Sequence, residues 1–196
     1  NECGGVVLNA ALKLRGNLPI QITLKRLPEY HVEFESQDIG VFGTVEDAAD
    51  IQNCHDPFDP FALHKAALIA CGVIPLEGPC NLSEHLKKLG GGIYLSTQVI
   101  GVPKGSGLGT SSILSGACVK GIFEFLGQDL SDNELYDIVL CMEQVMSTGG
   151  GWQDQVGGLT PGVKYCTTTP GILQKIQVEQ VHLSEKTKKE INDRFA

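Results

Sequence analysis

Three observations on the sequence predict an α+β domain. Residues 20–25 alternate between apolar and polar side chains, which is the period of a half-buried β-strand. Residues 110–126 place their apolar side chains on one face of a helix, and residues 131–134 form an S-x-x-E capping box that begins another. A chain of 196 residues, 42% hydrophobic and 19% charged, is long enough to bury the core of one domain.

The first hundred residues are predicted to form strands, then short helices, then one more strand. Apolar residues recur at every second position in the strands and at helical spacing in the helices. The strands are predicted at Gly4–Leu14, Leu18–Leu27, Tyr30–Ser36 and Gly92–Ile100, and the helices at Thr44–Ile51, Phe61–Gly72 and Ser83–Leu89. Thr44 is the predicted N-cap of the first helix. His64 and Lys65 are expected on the polar edge of the second helix.

Two amphipathic helices are predicted in the second half, at Thr110–Leu126 and Asp132–Met146, and Gly127 ends the first of them. Two strands are predicted after these helices, at Gly162–Thr167 and Ile172–Leu183. Ser184 then caps a lysine-rich helix. Because its lysines alternate with acidic residues, a solvated face explains its charge better than a phosphate site.

The segment Pro103–Ser112, with the sequence PKGSGLGTSS, lies between a predicted strand and a predicted helix. Its three glycines allow positive φ and a close approach to a ligand, and the N-terminus of the following helix favours an anion such as phosphate. The pattern is not that of the P-loop, and a turn of this composition is also consistent with ordinary turn and capping chemistry. The candidate nucleotide-binding residues are Pro103, Lys104, Gly105, Ser106, Gly107, Leu108, Gly109, Thr110, Ser111 and Ser112.

The motif P-x-x-x-G-L-G-[ST]-S at Pro103–Ser111 resembles the second motif of the galactokinase, homoserine kinase, mevalonate kinase and phosphomevalonate kinase superfamily. The segment Glu143–Gly158 is similar to a segment of L-fucose kinases and of related heptose phosphate kinases, and Gly4–Leu14 resembles a segment of fucokinases. The resemblance implies a ribosomal-protein-S5-domain-2-like kinase fold. It also implies ATP-dependent phosphorylation of L-fucose to L-fucose 1-phosphate, with ATP and Mg²⁺ as cofactors. A kinase for another sugar, such as a heptose phosphate, and a non-catalytic nucleotide or sugar sensor are the alternatives.

Glu143 lies at the margin of the apolar stripe of its predicted helix, and no lysine stands three or four residues away to pair with it. From the residues alone, it is either a metal ligand or a solvated carboxylate. Under the resemblance, Ser111 and Glu143 bind Mg²⁺, and Asp154, eleven residues after Glu143, is the catalytic residue that accepts the proton of the sugar hydroxyl. The residues expected to contact the sugar are Gly150, Gly151, Trp152 and Asp154. Trp152, the only tryptophan, is equally suited to line a sugar or to anchor its loop.

Composition argues against several other kinds of function. The net charge of −8 with three arginines disfavours a nucleic-acid surface, and no run of eighteen apolar residues suggests a membrane partner. The seven cysteines are odd in number and contain no C-x-x-C pair, which favours free thiols in a reducing cytoplasm.

The superfamily's first motif would precede Gly4, and its third motif would lie beyond Ala196. Residues 1–196 are therefore expected to be the N-terminal ATP-binding portion of a sugar kinase domain, truncated at both ends.

Overall fold

The computed structural model describes residues 3–11, 13, 16–103, 105–148, 150–171 and 174–195. Within these ranges, strands and helices are mixed along the chain, which confirms the predicted α+β class. The strands are β1 (Gly5–Ala10), β2 (Ile20–Leu27), β3 (Val32–Ser36), β4 (Val41–Val45), β5 (Gly92–Val99), β6 (Val163–Thr168) and β7 (Ile176–Gln180). The helices are α1 (Ala48–Gln52), α2 (Ala62–Ala70), α3 (Leu82–Leu89), α4 (Thr110–Leu126), α5 (Asp132–Val145), α6 (Gln153–Leu159) and α7 (Glu185–Phe195).

The strands form two sheets. The first has the order β2-β5-β3-β4, in which β3 and β5 run parallel and the other pairs are antiparallel. The second is antiparallel, with the order β1-β6-β7. Because β5 is a central strand of the first sheet, the loop that follows it begins at the end of a rigid element.

The main core lies between the four-stranded sheet and helices α2, α4 and α5, with side chains such as Phe34, Leu95, Ile122 and Val139 buried in it. A second, smaller core contains Tyr136, Trp152, Val156 and Cys166. This second core joins α5 and α6 to the inner face of the three-stranded sheet. The two cores meet along α5, which contributes buried side chains to both.

Several local predictions are confirmed. Helix α4 begins at Thr110 and ends at Leu126, as predicted, and Gly127 adopts the left-handed conformation at its C-cap. The capping box at the start of α5 is complete, because Ser131 accepts from the backbone N–H of Glu134 while the Glu134 carboxylate accepts from the backbone N–H of Ser131. Ser184 likewise accepts from the backbone N–H of Thr187 at the start of α7.

Two element predictions are wrong. Thr44 does not cap a helix: it lies in β4, opposite Glu33 of β3, and Asp47 is the N-cap of α1. The β-branched residues of β4 pair with β3, and a prediction from neighbouring residues alone does not include this tertiary contact. The segment Gln153–Leu159, interpreted as part of a loop, forms α6. The predicted extension of the first strand over Leu12 and Leu14, and the start of the last strand at Ile172 and Leu173, lie outside the described residues.

The expectation that His64 and Lys65 are surface residues is also wrong, because α2 is covered on several sides. The Lys65 ammonium pairs with the Asp59 carboxylate at 2.5 Å. His64 is 2% exposed, and its Nε2 lies 3.0 Å from the Thr97 hydroxyl and 3.2 Å from the Glu35 carbonyl oxygen. Burial lowers the pKa of His64 from 6.5 to about 4.

The protein should therefore lose stability as the pH falls below 6.5, because the unfolded state then binds a proton that the folded state excludes. This part of the stability is complete above pH 6.5 and is lost as the pH falls towards 4, with a total of about 3 kcal/mol. The substitution His64→Gln should reduce the slope of the unfolding free energy, measured in urea, against pH between pH 6.5 and 5. His182→Gln, at an exposed histidine, should leave this slope unchanged. If His64→Gln showed the same pH dependence of stability as the wild type, the lowered pKa of His64 would be contradicted.

All seven cysteines are free, and Cys54, Cys118 and Cys166 are buried. Burial raises the pKa of both Cys71 and Cys118 to about 12, so these thiols behave as apolar core groups. In the described part of the chain, no helix is both long enough and apolar enough to cross a membrane.

Candidate active site

The glycine loop, residues 103–109, connects β5 to α4. Gly105, Gly107 and Gly109 adopt φ values of 72°, 71° and 66°, as predicted for a chain that bends tightly before a helix. Gly109 is the N-cap of α4, and within the described part of the chain no side-chain hydrogen bond caps the first turn. The first N–H groups of this seventeen-residue helix are therefore left to a ligand or to water.

A cavity of about 600 Å³ lies against the glycine loop and the first turn of α4. Its other walls include Asp38, Leu63 and Val99. Among the described residues, no lysine or arginine lines it. Backbone N–H groups and the dipole of α4 would stabilise an anion in this cavity.

Glu143 lies near the C-terminal end of α5 and is 3% exposed. Its Oε1 accepts a hydrogen bond from the Ser112 hydroxyl, whereas Oε2 is buried and has no hydrogen-bond partner among the described residues. Burial raises the pKa of Glu143, and the nearby Asp154 carboxylate raises it further. A solvated carboxylate is excluded by this burial, and an orphaned buried oxygen is the kind of group that a cation would satisfy.

The backbone at Gly150 passes directly against this carboxylate. A Cβ atom added there would overlap Oε2 of Glu143 and also approach Oε1 to 3.2 Å. A side chain at position 150 would therefore force the Glu143 carboxylate to move. Within the described residues, no cluster of three or more His, Cys, Asp or Glu side chains could hold a metal. Mg²⁺ is commonly bound by only one or two carboxylates together with water and substrate phosphates, so a single buried carboxylate such as Glu143 is compatible with this ion.

Asp154 lies in the first turn of α6 and is exposed. It packs against the glycine loop, because a Cβ atom at Gly109 would stand 2.9 Å from both the Cβ and the Cγ of Asp154. The fold thus brings together the glycine loop, Glu143 and Asp154. These residues come from three different elements, and the sequence predicts a role for each of them.

A second cavity, of about 420 Å³, opens beside the first. Most of its lining is apolar, and Lys120 is the one cation among its described lining residues. Both cavities are lined by Leu108, Thr110 and Asp154. Asp154 therefore lies at the boundary between the two cavities.

Trp152 is 4% exposed and packs in the smaller core, where its ring lies against Gly5 of β1. It lines neither cavity. The structure thus favours the anchoring role for this side chain over the sugar-lining role that the sequence left open.

Not every candidate residue lies where the sequence suggests. The hydroxyl that contacts Glu143 belongs to Ser112, which is buried, whereas Ser111 is exposed at the wall of the larger cavity. Lys104 lies outside the described residues. Asp38 also lines the larger cavity, although nothing in the sequence around it signals a site. The pairing of Asn9 with the Gln153 carbonyl, described below, was missed for the same reason.

Comparison with known proteins places these features in a family. The model of the GHMP kinases N terminal domain matches residues 80–161, which include the glycine loop, Glu143 and Asp154. The bifunctional fucokinase/GDP-fucose pyrophosphorylase of Arabidopsis thaliana is 37% identical over 194 residues, covering 99% of this chain. The L-fucokinase/L-fucose-1-P guanylyltransferase of Bacteroides fragilis is 38% identical over 174 residues, covering 87% of it. The chain spans only 17% and 18% of the lengths of these two relatives.

Solved structures support the fold. The D-glycero-D-manno-heptose 1-phosphate kinase of Bacteroides thetaiotaomicron superposes with a TM-score of 0.63 at 21% identity, covering 95% of this chain and 54% of that one. This likeness confirms the predicted kinase fold. Residues 80–161 thus match the GHMP kinases N terminal domain, and the chain is similar in sequence to fucokinases over nearly all of its length.

Proposed function

We propose that the chain forms the ATP-binding part of a sugar kinase that phosphorylates L-fucose to L-fucose 1-phosphate. The observation that carries this proposal is the position of the Asp154 carboxylate, which lines both cavities beside the buried Glu143. Phosphoryl transfer depends mainly on positioning the two substrates and on stabilising charge, and a carboxylate between two binding cavities meets the first need.

The larger cavity is the proposed site for the phosphates of ATP. The uncapped N–H groups at the start of α4 and the positive-φ glycines before it supply a cradle of donors. Ser106, Thr110 and Ser111 line the same cavity and can add hydroxyl donors. The adenosine would then extend towards the walls that include Asp38 and Leu63.

The residues around Glu143 fit Mg²⁺. Glu143 supplies a carboxylate with a free buried oxygen, and the hydroxyls of Ser111 and Ser112 stand at the same end of α4. When bound, the ion would neutralise negative charge on the ATP phosphates. The backbone at Gly150 lies directly against this carboxylate, which is 3% exposed.

Asp154 is the proposed catalytic residue. Its carboxylate is exposed to both cavities, so it can accept a hydrogen bond from a sugar hydroxyl and orient that oxygen towards the γ-phosphate. As the hydroxyl oxygen bonds to phosphorus, its proton passes to a carboxylate oxygen of Asp154, and the bond from phosphorus to the ADP oxygen breaks.

L-Fucose is favoured as the acceptor because the two curated relatives are both named as fucokinases. Apolar side chains line most of the smaller cavity, which suits the methyl group that distinguishes L-fucose from L-galactose. A heptose phosphate is the second candidate, since a heptose 1-phosphate kinase shares the fold. In the described lining, only Lys120 would be available for its phosphate.

The test is ADP release by the native protein that contains this chain, with Mg²⁺ and ATP and one sugar at a time. We expect release with L-fucose, less with L-galactose, which differs only by a hydroxyl on that methyl carbon, and none with a heptose phosphate. If ADP were released with the heptose phosphate and not with L-fucose, the heptose phosphate would be the acceptor instead. A folded protein that binds ATP but shows no sugar-dependent release would favour the sensor and contradict the kinase assignment.

A further inference from the structure

A polar pair lies on the inner face of the three-stranded sheet, where the neighbouring side chains are apolar. Asn9 of β1 and Lys164 of β6 stand directly opposite each other in the antiparallel register. Two residues further along the same face, Val7 and Cys166 contribute to the smaller core. Opposed residues of an antiparallel pair project to the same side, so both side chains face α6, which packs on this sheet.

Asn9 contacts the beginning of α6. Its Nδ2 donates a hydrogen bond of 3.0 Å to the carbonyl oxygen of Gln153, the residue immediately before Asp154. A Cβ atom on Gly157, one turn further along the helix, would lie 3.3 Å from the Asn9 carboxamide. The absence of a side chain at Gly157 therefore lets the helix lie directly on Asn9.

Lys164 contacts the end of α6. The side chain is 0% exposed, and its ammonium donates to the carbonyl oxygens of Gly157 at 3.0 Å, Gly162 at 3.2 Å and Thr160. These three bonds use every donor of the ammonium. The carbonyls at a helix C-terminus have no partner within the helix, and a cation there is also favoured by the helix dipole.

Helix α6 needs such support. It has seven residues, which is about two turns, and two of them are Gly157 and Gly158. Isolated helices shorter than about 12 residues are marginal in water, and each interior glycine costs about 1 kcal/mol relative to alanine. External contacts must therefore hold this helix in place.

We propose that Asn9 and Lys164 act as a clamp that fixes both ends of α6 and thereby positions the Asp154 carboxylate between the two cavities. Asn9 also lines the smaller cavity, but the hydrogen bond on which the proposal rests joins it to the backbone of α6, so both residues are proposed as positioning residues. The catalytic part of this proposal rests on the proposed kinase function. The stabilisation of α6 by the clamp can be tested without measuring turnover.

The first measurement is amide hydrogen exchange in the native protein. In Asn9→Ala, exchange across residues 153–159 should become at least about tenfold faster, while α4 should be unaffected. Asn81→Ala is the matched control, since Asn81 also hydrogen bonds a helix end, that of α3, far from the site in sequence. Unchanged exchange of α6 in Asn9→Ala would overturn the clamp.

The second measurement separates positioning from a general structural role. Asn9→Ala should lower kcat roughly 10- to 100-fold while the Kd for ATP stays within about twofold, because a small displacement of a catalytic group is costly whereas the glycine loop is intact. In the Asp154→Asn background, Asn9→Ala should cause little further loss, since the two residues act as one unit. An equal loss in both backgrounds would overturn the positioning role.

Lys164 supplies the complementary variants. Lys164→Met removes the ammonium donor from the carbonyl oxygens of Gly157 and of the buried Thr160 and can prevent folding, so Lys164→Arg, which keeps a cation, serves as the partial replacement. If Lys164→Arg folds, its α6 exchange and kcat should fall between those of the wild type and Asn9→Ala. Wild-type exchange together with wild-type kcat in Lys164→Met would overturn the part assigned to Lys164. Absence of sugar-dependent turnover in the wild type would overturn the proposed function and the catalytic role, but not the clamp.

Discussion

Replacing Asp154 with asparagine is expected to lower fucose-dependent ADP release by roughly 10²–10⁴-fold. Asparagine keeps the size of the side chain and can still hydrogen bond to a sugar hydroxyl, but it cannot accept the proton. Asp154 is exposed, and its contact with Gly109 is one of packing, so the variant should fold normally. ATP affinity should change little, because the cradle of N–H groups at α4 is untouched. Steady-state kinetics and calorimetric titration with ATP would measure the two quantities separately.

The matched control for this variant is Asp137→Asn, on the exposed surface of α5. It makes the same chemical change outside both cavities and should leave turnover within about twofold, as is usual for surface substitutions. If Asp154→Asn retained wild-type kcat, the proton would have to leave by another route, and the proposed role of Asp154 would be wrong.

Features that depend on neighbouring residues in the sequence could be predicted well. The bounds of α4, the Gly127 C-cap and the Ser131 capping box follow from helical spacing and from side chains that contact the backbone within three or four residues. The positive φ values of the glycine loop follow from composition for the same reason. These features are set mainly by contacts between residues close in sequence, so they can be predicted without knowing the tertiary structure.

Features that depend on distant partners could not be predicted from the sequence alone. Helix α6 contains two glycines and is held by Lys164 of β6 and by Asn9 of β1, which lies 144 positions before the residue it contacts. The choice between Ser111 and Ser112 as the hydroxyl on Glu143 depends on how α4 is rotated against α5. Adjacent helical residues point about 100° apart, so the rotation of α4 about its axis decides which of the two hydroxyls faces Glu143. The burial of Glu143 was anticipated only in part, because the Gly150 loop that covers it comes from beyond the helix.

The substitution Glu143→Gln should act on activity and stability in opposite directions. Loss of the carboxylate should reduce Mg²⁺-dependent turnover on the order of 10³-fold, since a bound metal contributes several kcal/mol to charge stabilisation. The free energy of unfolding without Mg²⁺ should be unchanged or higher, because a buried charge with an orphaned oxygen is replaced by a neutral amide of the same shape. The carboxamide oxygen introduced by the substitution would still accept a hydrogen bond from Ser112.

Thermal unfolding with and without Mg²⁺ distinguishes the loss of a metal ligand in Glu143→Gln from general damage to the fold. Mg²⁺ with a nucleotide should raise the Tm of the wild type and of Glu124→Gln, an exposed control on α4, but not that of Glu143→Gln. A variant that lost both stability and activity would indicate that Glu143 is retained for packing, and the metal assignment would be wrong. A variant that gained stability while losing the response to Mg²⁺ would fit a residue kept for function, because an uncompensated buried carboxylate has no structural reason to persist.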